Sequence, residues 1–432
     1  MSVAVTTGHD SGPPVTREDP ELRRDFGGGI IGIHAIVQMA FDRADFSPLW
    51  NMLMQRVQAN PFDAAAIFDI ATILQSLGRT REARQTLDTA LSLRRNFCSV
   101  HGEGTGLKLL AFVTAGDFMA NTPLDFLLVG SDCVLHLHYV DAQTQTLDNL
   151  PDHDVAFMAI AESTDNLPVL RHMVDLLSLY TGTIINNRPA LVAGLTRDGV
   201  SAMLANEPSI LSPATFRLSR DVLMDIACGE KALADVAPEL SFPLVLRPVS
   251  THAGEGMQKI ADPGELIAML ASQTAEQLYA APFIDFRGSD GLYNKQRVVF
   301  IKGRPFASHM ALSDHWIVHY LSSGMMTDAA KRDVERIWME TFDQDYAVRH
   351  ADAFSALYRH IGLDYFGIDC AELPDGRLLV FEVDVAMVVH NMDSPTVFPY
   401  KHVAMRKLFD AFIRAFDPAR AEDFLTTSET TA

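Results

Sequence analysis

The sequence has few cysteines, no long apolar run and a shortage of positive charge. Its four cysteines are far apart among 432 residues and form no CxxC pair, which favours reduced thiols in a cytoplasmic protein. No apolar run approaches the roughly 20 residues that a membrane helix needs. The formal net charge of −20 argues against nucleic acid or an anionic membrane as the main partner, although it allows a local basic pocket for phosphates.

The length and the changes in pattern along the chain predict several domains. The first 30 residues are polar, rich in glycine and proline, and lack the features of a signal peptide. The predicted organisation is a disordered leader (1–30), a helical domain (31–98), an α/β domain (105–215), two further α+β units (216–282 and 283–420) and a tail (421–432).

Apolar residues recur at helical spacing in the segment NPFDAAAIFDIATILQSLGRTREARQTLDTAL, residues 60–91. Gly78 ends the first helix, and the G-x-x-x-E-A pattern that it begins resembles a tetratricopeptide unit. An ordinary helical hairpin is the alternative. Because fewer than three such units seldom stand alone, we expect this region to pack on its neighbour. It is also a candidate for binding a protein or a carrier-linked substrate.

Short apolar strands alternate with helices after residue 105. Strand candidates at 107–115, 132–140 and 154–161, followed by a helix at 166–180, indicate an α/β domain with a parallel sheet. Further strands are then predicted at 242–249, 257–261, 276–285 and 296–312. Two helices, at 327–341 and 345–361, precede a hairpin at 364–385 whose turn is LPDGR. The fold class is therefore α/β, with α+β units towards the C-terminus.

Two carboxylates interrupt the apolar strand FEVDVAMVVH, residues 381–390. Alternate side chains of a strand share a face, so Glu382 and Asp384 point the same way, and Asp369 on the other strand of the hairpin can join them. Like charges on a half-buried strand need compensation. Three oxygen ligands without cysteine or histidine suit a hard cation such as Mg²⁺. A solvated strand edge is the alternative.

A second candidate site is the segment FPLVLRPVSTHAGEGMQKI, residues 242–260. Its strand carries a cation, Arg247, and the following loop can fold over phosphates and donate backbone N–H groups. The segment has neither the GxxxxGK[ST] of a P-loop nor the GxGxxG of a dinucleotide fold. A structural salt bridge and a plain connection are the alternatives. The loop residues of interest are Ser250, Thr251, Gly254 and Gly256.

The order of these segments resembles the ATP-grasp superfamily, and in particular ligases of the RimK and glutathione-synthetase type, over about residues 182–392. The segments are a strand with Arg-Pro, a glycine loop, a strand and helix, then PFID, QRVVFIKG, GIDCAE and FEVDV. The resemblance implies a Rossmann-like domain followed by two ATP-grasp subdomains, 216–282 and 283–420. It also implies that ATP and two Mg²⁺ ions, or Mn²⁺ as a substitute, lie between the subdomains.

The activity that the resemblance implies is carboxylate–amine ligation: a substrate carboxylate attacks the γ-phosphate of ATP, and an amine then displaces phosphate from the acyl phosphate. The residues carried over include three that are catalytic, Arg247, Arg297 and His319. The others are the metal ligands Asp369, Glu382 and Asp384, the phosphate-covering loop from Ser250 to Gly256 with Thr251 and Gly254, Phe283 and Ile284 beside the adenine, and Asp285 for the ribose.

Several positions depart from the family pattern. Arg247 replaces a lysine, which keeps the charge but changes its geometry. Pro282 stands where a glutamate is usual, and the loop at 386–393, which includes the acid/base candidate His390, is bulkier than the glycine-containing loop of the family. That loop motivates one alternative function, a non-catalytic ATP-binding or scaffold protein. A kinase that phosphorylates a small molecule is another. The sequence does not fix the oligomeric state, and a homodimer is one option because the similar enzymes are commonly dimers.

Overall fold

The computed structural model describes residues 29–249, 251, 254–421 and 424, so the predicted leader falls almost entirely outside the described residues. The described chain begins with consecutive helices that pack on one another through Leu53, Ile70 and Ile73. Asp63 begins the third helix by accepting a hydrogen bond from the amide of Ala66 at 3.0 Å. The helices are α1 (Ile33–Phe41), α2 (Ser47–Ala59), α3 (Ala64–Ser76) and α4 (Thr80–Leu93).

A five-stranded sheet follows, in the spatial order β1-β3-β2-β4-β5. Four of its strands are parallel, and β1 pairs antiparallel with β3 at one edge. The central strands are buried on both faces, as their continuous apolar sequences require. The elements are β1 (Asn96–Val100), β2 (Lys108–Val113), α5 (Leu124–Leu127), β3 (Val134–Tyr139), β4 (Val155–Met158), α6 (Leu167–Ser178), β5 (Ile184–Ile185), α7 (Pro189–Val192) and α8 (Arg197–Leu204).

The second sheet is antiparallel, in the order β7-β10-β8-β9, and helices α9 and α11 pack against each other on it. Its small apolar core is separate from that of the rest of the chain. The preceding short strand, β6 (Ile210–Leu211), belongs instead to the third sheet. The elements are β7 (Phe216–Ser219), α9 (Arg220–Ala227), α10 (Leu233–Val236), β8 (Leu244–Pro248), β9 (Gln258–Ile260), α11 (Pro263–Ser272) and β10 (Gln277–Pro282).

The third sheet has the order β12-β11-β13-β14-β6, and all of its strand pairs except β14 with β6 are antiparallel. Helices α12 and α15 cover one of its strands, β12. The elements are β11 (Tyr293–Ile301), β12 (Arg304–Ser313), a 3₁₀ turn (Tyr320–Ser322), α12 (Ala329–Thr341), α13 (Tyr346–Arg349), α14 (Ala351–Ile361), β13 (Tyr365–Glu372), β14 (Leu378–Asp384) and α15 (Pro399–Phe416).

The mixed α/β class is confirmed, and the predicted parallel strands and the C-terminal hairpin form. Three strands were not predicted: β1, the two-residue β6, and β7, whose last residues fall in a stretch (218–235) expected to be helical. The helix predicted at 345–361 is wrong as one element, because α13 ends at Arg349 and α14 starts at Ala351. The tetratricopeptide and Rossmann-like comparisons and the domain boundaries stay predictions. Among the described residues, no helix is long and apolar enough to cross a membrane.

Candidate functional site

The second and third sheets face each other across a cavity of about 580 Å³, a volume typical of ligand pockets. Strands β8 and β10 form one wall, and strands β11, β12, β13 and β14 form the other. One part of the lining is apolar and comes mainly from the end of β10, from the segment that follows it and from β14. Its side chains are Val245, Ala281, Phe283, Ile284, Phe286, Leu379 and Phe381.

The strand register aligns four polar residues in a row across the third sheet. His309 on β12 lies opposite Arg297 on β11, Arg297 lies opposite Asp369 on β13, and Asp369 lies opposite Glu382 on β14. Irregularities follow Arg297 in its pairing with β12 and Asp369 in its pairing with β14. Bulges of this kind often re-aim side chains beside functional sites. The fold therefore brings residues that are up to 85 positions apart in sequence into one charged row.

The cavity lining contains more cations than carboxylates although the chain is strongly acidic. Its five cations are Arg197, Arg247, Lys295, Arg297 and Lys401, and its four carboxylates are Asp369, Glu382, Asp384 and Asp393. Charges in a low-dielectric cleft interact more strongly than charges on the surface. This local balance favours an anionic ligand.

Asp369 is 2% exposed and both of its carboxylate oxygens are occupied by protein cations. Arg297 donates from Nε to Oδ1 at 2.8 Å and from Nη2 to Oδ2 at 3.1 Å, and the Nζ of Lys295 reaches Oδ2 at 2.8 Å. Burial alone would raise the pKa of Asp369, but Arg297 and Lys295 hold it well below its usual range. The compensation that the sequence demands comes here from two basic side chains.

Glu382 and Asp384 extend the same charged cluster. Glu382 forms an ion pair with Arg197 at the start of α8, and Asp384 accepts a hydrogen bond from the amide of Ala386 at 2.8 Å. Burial would raise the pKa of Glu382, but Arg197 keeps it lowered. Because protein donors already occupy Asp369, the three carboxylates as arranged do not fit a divalent ion. Within the described part of the chain, no group of three or more His, Cys, Asp or Glu side chains could hold a metal ion.

Arg247 differs from the other buried cations of the cavity. It is 8% exposed, and its guanidinium donates to the side-chain and main-chain oxygens of Thr251, from Nε to Oγ1 at 3.2 Å. No carboxylate of the described residues lies within 4.0 Å of it. Burial, together with the nearby positive charge of Arg197, lowers the pKa of Arg247 to about 10, although the more distant negative charge of Glu382 opposes the shift. A buried guanidinium without a carboxylate partner is a strong candidate for an anion ligand.

The predicted phosphate-covering loop lies directly after Arg247. Gly254 and Gly256 have positive φ angles of 77° and 66°, which glycine adopts without strain. A Cβ on Gly254 would lie 3.3 Å from the Cγ2 of Ile317, so this loop approaches the segment after β12 closely. Gly254 and Met257 line the cavity, whereas Ser250 lies outside the described residues.

The predicted hinge follows β10 and brings two of its three residues to the cavity. Phe283 and Ile284 line the apolar part, with the Nζ of Lys259 3.5 Å from the ring centroid of Phe283 and Trp316 packed edge-on at 5.6 Å. Asp285 does not line the cavity and forms an ion pair with Arg287. Phe283 therefore places an aromatic side chain at this end of the cavity, next to a cation and a second ring.

Two histidines lie beside the charged row. His309 and His319 both line the cavity, and burial together with the positive charge of Arg297 lowers the pKa of each below its usual value. Both imidazoles are therefore neutral at pH 7 and able to accept or donate a hydrogen bond. His319 was among the predicted site residues, whereas His309 was not.

The sequence-based assignment missed several lining residues in the part of the cavity that contains His390, which we call its inner end. They come from four separate segments of the chain. Phe41, on α1, lies farthest in sequence from the strands that line the cavity. Nothing in the local sequence around any of them predicts a site, because only the packing of the segments brings them together. The residues are Phe41, Met119, Met392 and Lys401, beside the acid/base candidate His390.

No protein-family model matches the chain, and a comparison with curated proteins finds no relative. Solved structures similar to it include a RimK-domain ATP-grasp protein from Sphaerobacter thermophilus (14% identity, TM-score 0.38, 71% of this chain and 99% of that one). Others are the D-alanine–D-alanine ligase of Coxiella burnetii (15%, 0.38, 66% and 76%) and the N5-carboxyaminoimidazole synthase of Aspergillus clavatus (14%, 0.40, 71% and 78%). Because these TM-scores are below 0.5, we rest the function on the site itself.

Proposed function

We propose that the protein is an ATP-dependent carboxylate–amine ligase of the ATP-grasp class. The single observation that carries this function is Arg247, a buried cation without a carboxylate partner among the described residues, at the edge of a cavity between two antiparallel sheets. The order of the sequence segments supports the same class. A nucleotide phosphate supplies the negative charge that Arg247 lacks.

The apolar part of the cavity supports binding of the adenine. Phe283 and Ile284 offer a flat apolar surface at the end of β10, and Arg247 lies on the neighbouring strand β8, which pairs with β10. The ligand therefore spans from an apolar end to a cationic end, as a nucleoside triphosphate does. A role for Asp285 in ribose binding stays a prediction, since its carboxylate is paired with Arg287 outside the lining.

Arg297 and Lys295 suit the next part of the reaction. An oxygen of the substrate carboxylate attacks the γ-phosphorus of ATP, the bond to the bridging oxygen breaks, and ADP leaves with its electron pair. The amine nitrogen then attacks the acyl carbon, phosphate leaves, and the amine releases a proton. Fixed cations stabilise the charge that develops on the phosphoryl oxygens, and the neutral His319 is a candidate acceptor for the proton.

Magnesium and manganese stay sequence-based predictions. The contacts of Asp369 with Lys295 and Arg297 would have to be exchanged before that carboxylate could bind an ion. In the proposed reaction, the basic side chains of the protein bind the phosphates. Cytoplasmic location and a homodimer likewise stay predictions.

The test is nucleotide turnover in the presence of a trapping amine. The full chain is incubated with ATP, a pool of small carboxylates and hydroxylamine, and both ADP and hydroxamate are measured. We expect the two products to form in equal amounts, because hydroxylamine captures an acyl phosphate. ADP release without hydroxamate would contradict the ligase function and favour a kinase.

One observation favours a second candidate, a non-catalytic nucleotide-binding protein. The charged side chains that should take part in the reaction are already paired with one another, because both oxygens of Asp369 accept hydrogen bonds from Arg297 and Lys295. Such a protein would bind ATP at Arg247 but release no ADP with any carboxylate. Equilibrium binding of ATP without turnover over the whole pool would support this candidate instead.

A further inference from the structure

The N-terminal helices are fixed to the parallel-sheet region by buried polar contacts. The amide of His34, in the first turn of α1, donates to Oδ2 of Asp125 at 2.6 Å. Oδ1 of Asp125 accepts from Ser99 Oγ at 2.8 Å and lies 3.0 Å from His101 Nε2. The amide of Ile31 also donates to the buried Asp69 on α3. Helix α1 therefore has a defined position relative to the rest of the molecule.

The far end of α1 reaches the inner end of the cavity. Phe41 is the last residue of this nine-residue helix, and its ring centroid lies 6.0 Å from that of His390. Its side chain is 38% exposed although it lines the cavity. A large aromatic side chain in this position has apolar surface available for a ligand.

Two methionines line the cavity together with Phe41, and these three side chains are called the apolar wall. Met119 comes from the segment between β2 and α5, and Met392 comes from the segment after β14. Methionine adapts its shape to an apolar group and also packs well against aromatic rings. The wall is therefore built from three separate parts of the chain, one of which is the N-terminal helical region.

His390 provides a polar group in the same wall. Its Nδ1 accepts a hydrogen bond from the amide of Met392 at 3.2 Å, so the neutral ring carries its proton on Nε2. Among the residues that the structure describes, Nε2 has no hydrogen-bond partner. Burial and the nearby charges of Lys401 and Arg297 lower the pKa of His390 to about 4, although Asp393 opposes them. His390 thus presents a single N–H donor.

An acceptor placed at His390 also lies near the cationic row. Arg297 donates from Nη1 to the carbonyl oxygen of Val388 at 3.1 Å, which connects the row to the segment that carries His390. A carboxylate has the oxygen acceptors and the negative charge that this pair of donors prefers. The apolar wall then receives whatever is attached to that carboxylate.

Building on the proposed ligase function, we propose that the inner end of the cavity binds a carboxylic acid with an apolar side chain or acyl chain, which packs against Phe41, Met119 and Met392. The carboxylate lies towards His390 and Arg297. Phe41 is then a specificity-determining residue, and the N-terminal helical region is a wall of the substrate subsite. The position of the N-terminal helical region does not require it to be a separate module that docks a partner.

Binding of simple carboxylates tests the subsite without requiring turnover. Saturation-transfer NMR compares hexanoate and phenylacetate with acetate on the full wild-type chain in the presence of ADP. We expect both apolar acids to bind at least tenfold more tightly than acetate, and Phe41→Ala to remove most of that difference. Phe41→Leu should keep part of it. Phe62→Ala is the matched control, because Phe62 belongs to the same helical region and is 75% exposed but does not line the cavity.

The polar half of the subsite has its own pair of variants. His390→Gln keeps an N–H donor and should retain binding of phenylacetate within about threefold, whereas His390→Phe should lose it at least tenfold. The inference is overturned if neither apolar acid binds better than acetate, or if Phe41→Ala leaves the preference intact. If hexanoate binds as expected but no carboxylate supports ADP release, the subsite stands and the ligase function fails.

Discussion

The cavity and the junction that holds α1 both bury charged side chains, but the chain provides those side chains with different hydrogen-bond and ion-pair partners. This junction consists of Asp125 and Asp69 and the groups that they contact. At the junction, Asp125 is 4% exposed and accepts from an amide, a hydroxyl and an imidazole of the chain itself. In the cavity, Arg247 is 8% exposed, and among the described residues its hydrogen-bond acceptors are the two oxygens of Thr251. A charge that the chain completes is structural, whereas a charge that the chain leaves uncompensated indicates a ligand.

The pKa values of Asp125 and Arg247 follow the same division. Burial alone would raise the pKa of Asp125, but the hydrogen bonds from His101, His34 and Ser99 hold it at about 2. Burial destabilises the charged form of Arg247, and no carboxylate of the described residues contacts its guanidinium. The pKa of Arg247 therefore falls to about 10. The folded state therefore stabilises the charged form of Asp125 and destabilises the charged form of Arg247.

The largest expected effect is at the junction. Asp125→Ala removes the acceptor of three buried donors, each of which costs about 1–3 kcal/mol when left unsatisfied. We expect the free energy of unfolding to fall by about 3–5 kcal/mol, measured by urea denaturation. Asp88→Ala, at an exposed position on α4, should change it by less than about 0.5 kcal/mol. Equal effects of the two substitutions would remove the structural role of Asp125.

The next effect distinguishes two roles for Asp369. If its role is to hold Lys295 and Arg297, Asp369→Asn leaves two buried cations undercompensated, and we expect stability to fall by about 2–4 kcal/mol in thermal denaturation without added metal. If it exists to bind an ion, the neutral amide relieves carboxylate repulsion and stability rises. Asp375→Asn, in the turn of the same hairpin, is the control because Asp375 is exposed.

Arg247→Met sharpens the comparison from the ligand side. Loss of the phosphate contacts should weaken ATP binding about 100-fold, or about 2.7 kcal/mol, in isothermal titration. Because the uncompensated charge disappears, the unfolding temperature should stay the same or rise. Arg336→Met, on the surface of α12, should change neither quantity. A large loss of stability with unchanged ATP affinity would mean that Arg247 is structural.

The pH dependence of stability tests the junction separately, through Asp69. Burial raises the pKa of Asp69 to about 8, although the amide of Ile31 opposes the shift. The unfolded value is near 4, so the folded state binds the extra proton between these values. Stability from this group is therefore complete below pH 4 and is lost as the pH rises through 8. Unfolding curves between pH 5 and 9 should show this decline, and Asp69→Asn should flatten it.

Much of the fold followed from local pattern. The strands β2 and β4 are largely apolar runs, β3 alternates apolar residues with two histidines, and the hairpin of β13 and β14 has an Asp-Gly turn at its tip, so each carries its own signal. Strand β6 has only two residues and forms because β14 offers it an edge, which no local pattern records. The break between α13 and α14 at His350 is likewise a product of packing.

The candidate site was predictable where its residues lie on strands of one hairpin or follow a motif. Asp369, Glu382 and Asp384 were expected to converge, and the register places Asp369 opposite Glu382 and Asp384 opposite Gly367. Their partners were not foreseen, because Lys295 approaches from β11 and Arg197 from α8. Phe41 was out of reach of sequence reasoning, since its role depends on how Asp125 fixes α1.

The most direct test of the central claim is a crystal structure of the wild-type protein soaked with ADP. We predict that a phosphate oxygen lies within hydrogen-bonding distance of the guanidinium of Arg247 and that the adenine contacts Phe283 and Ile284. A nucleotide bound elsewhere, or a phosphate that leaves Arg247 with only its contacts to Thr251, would contradict the account.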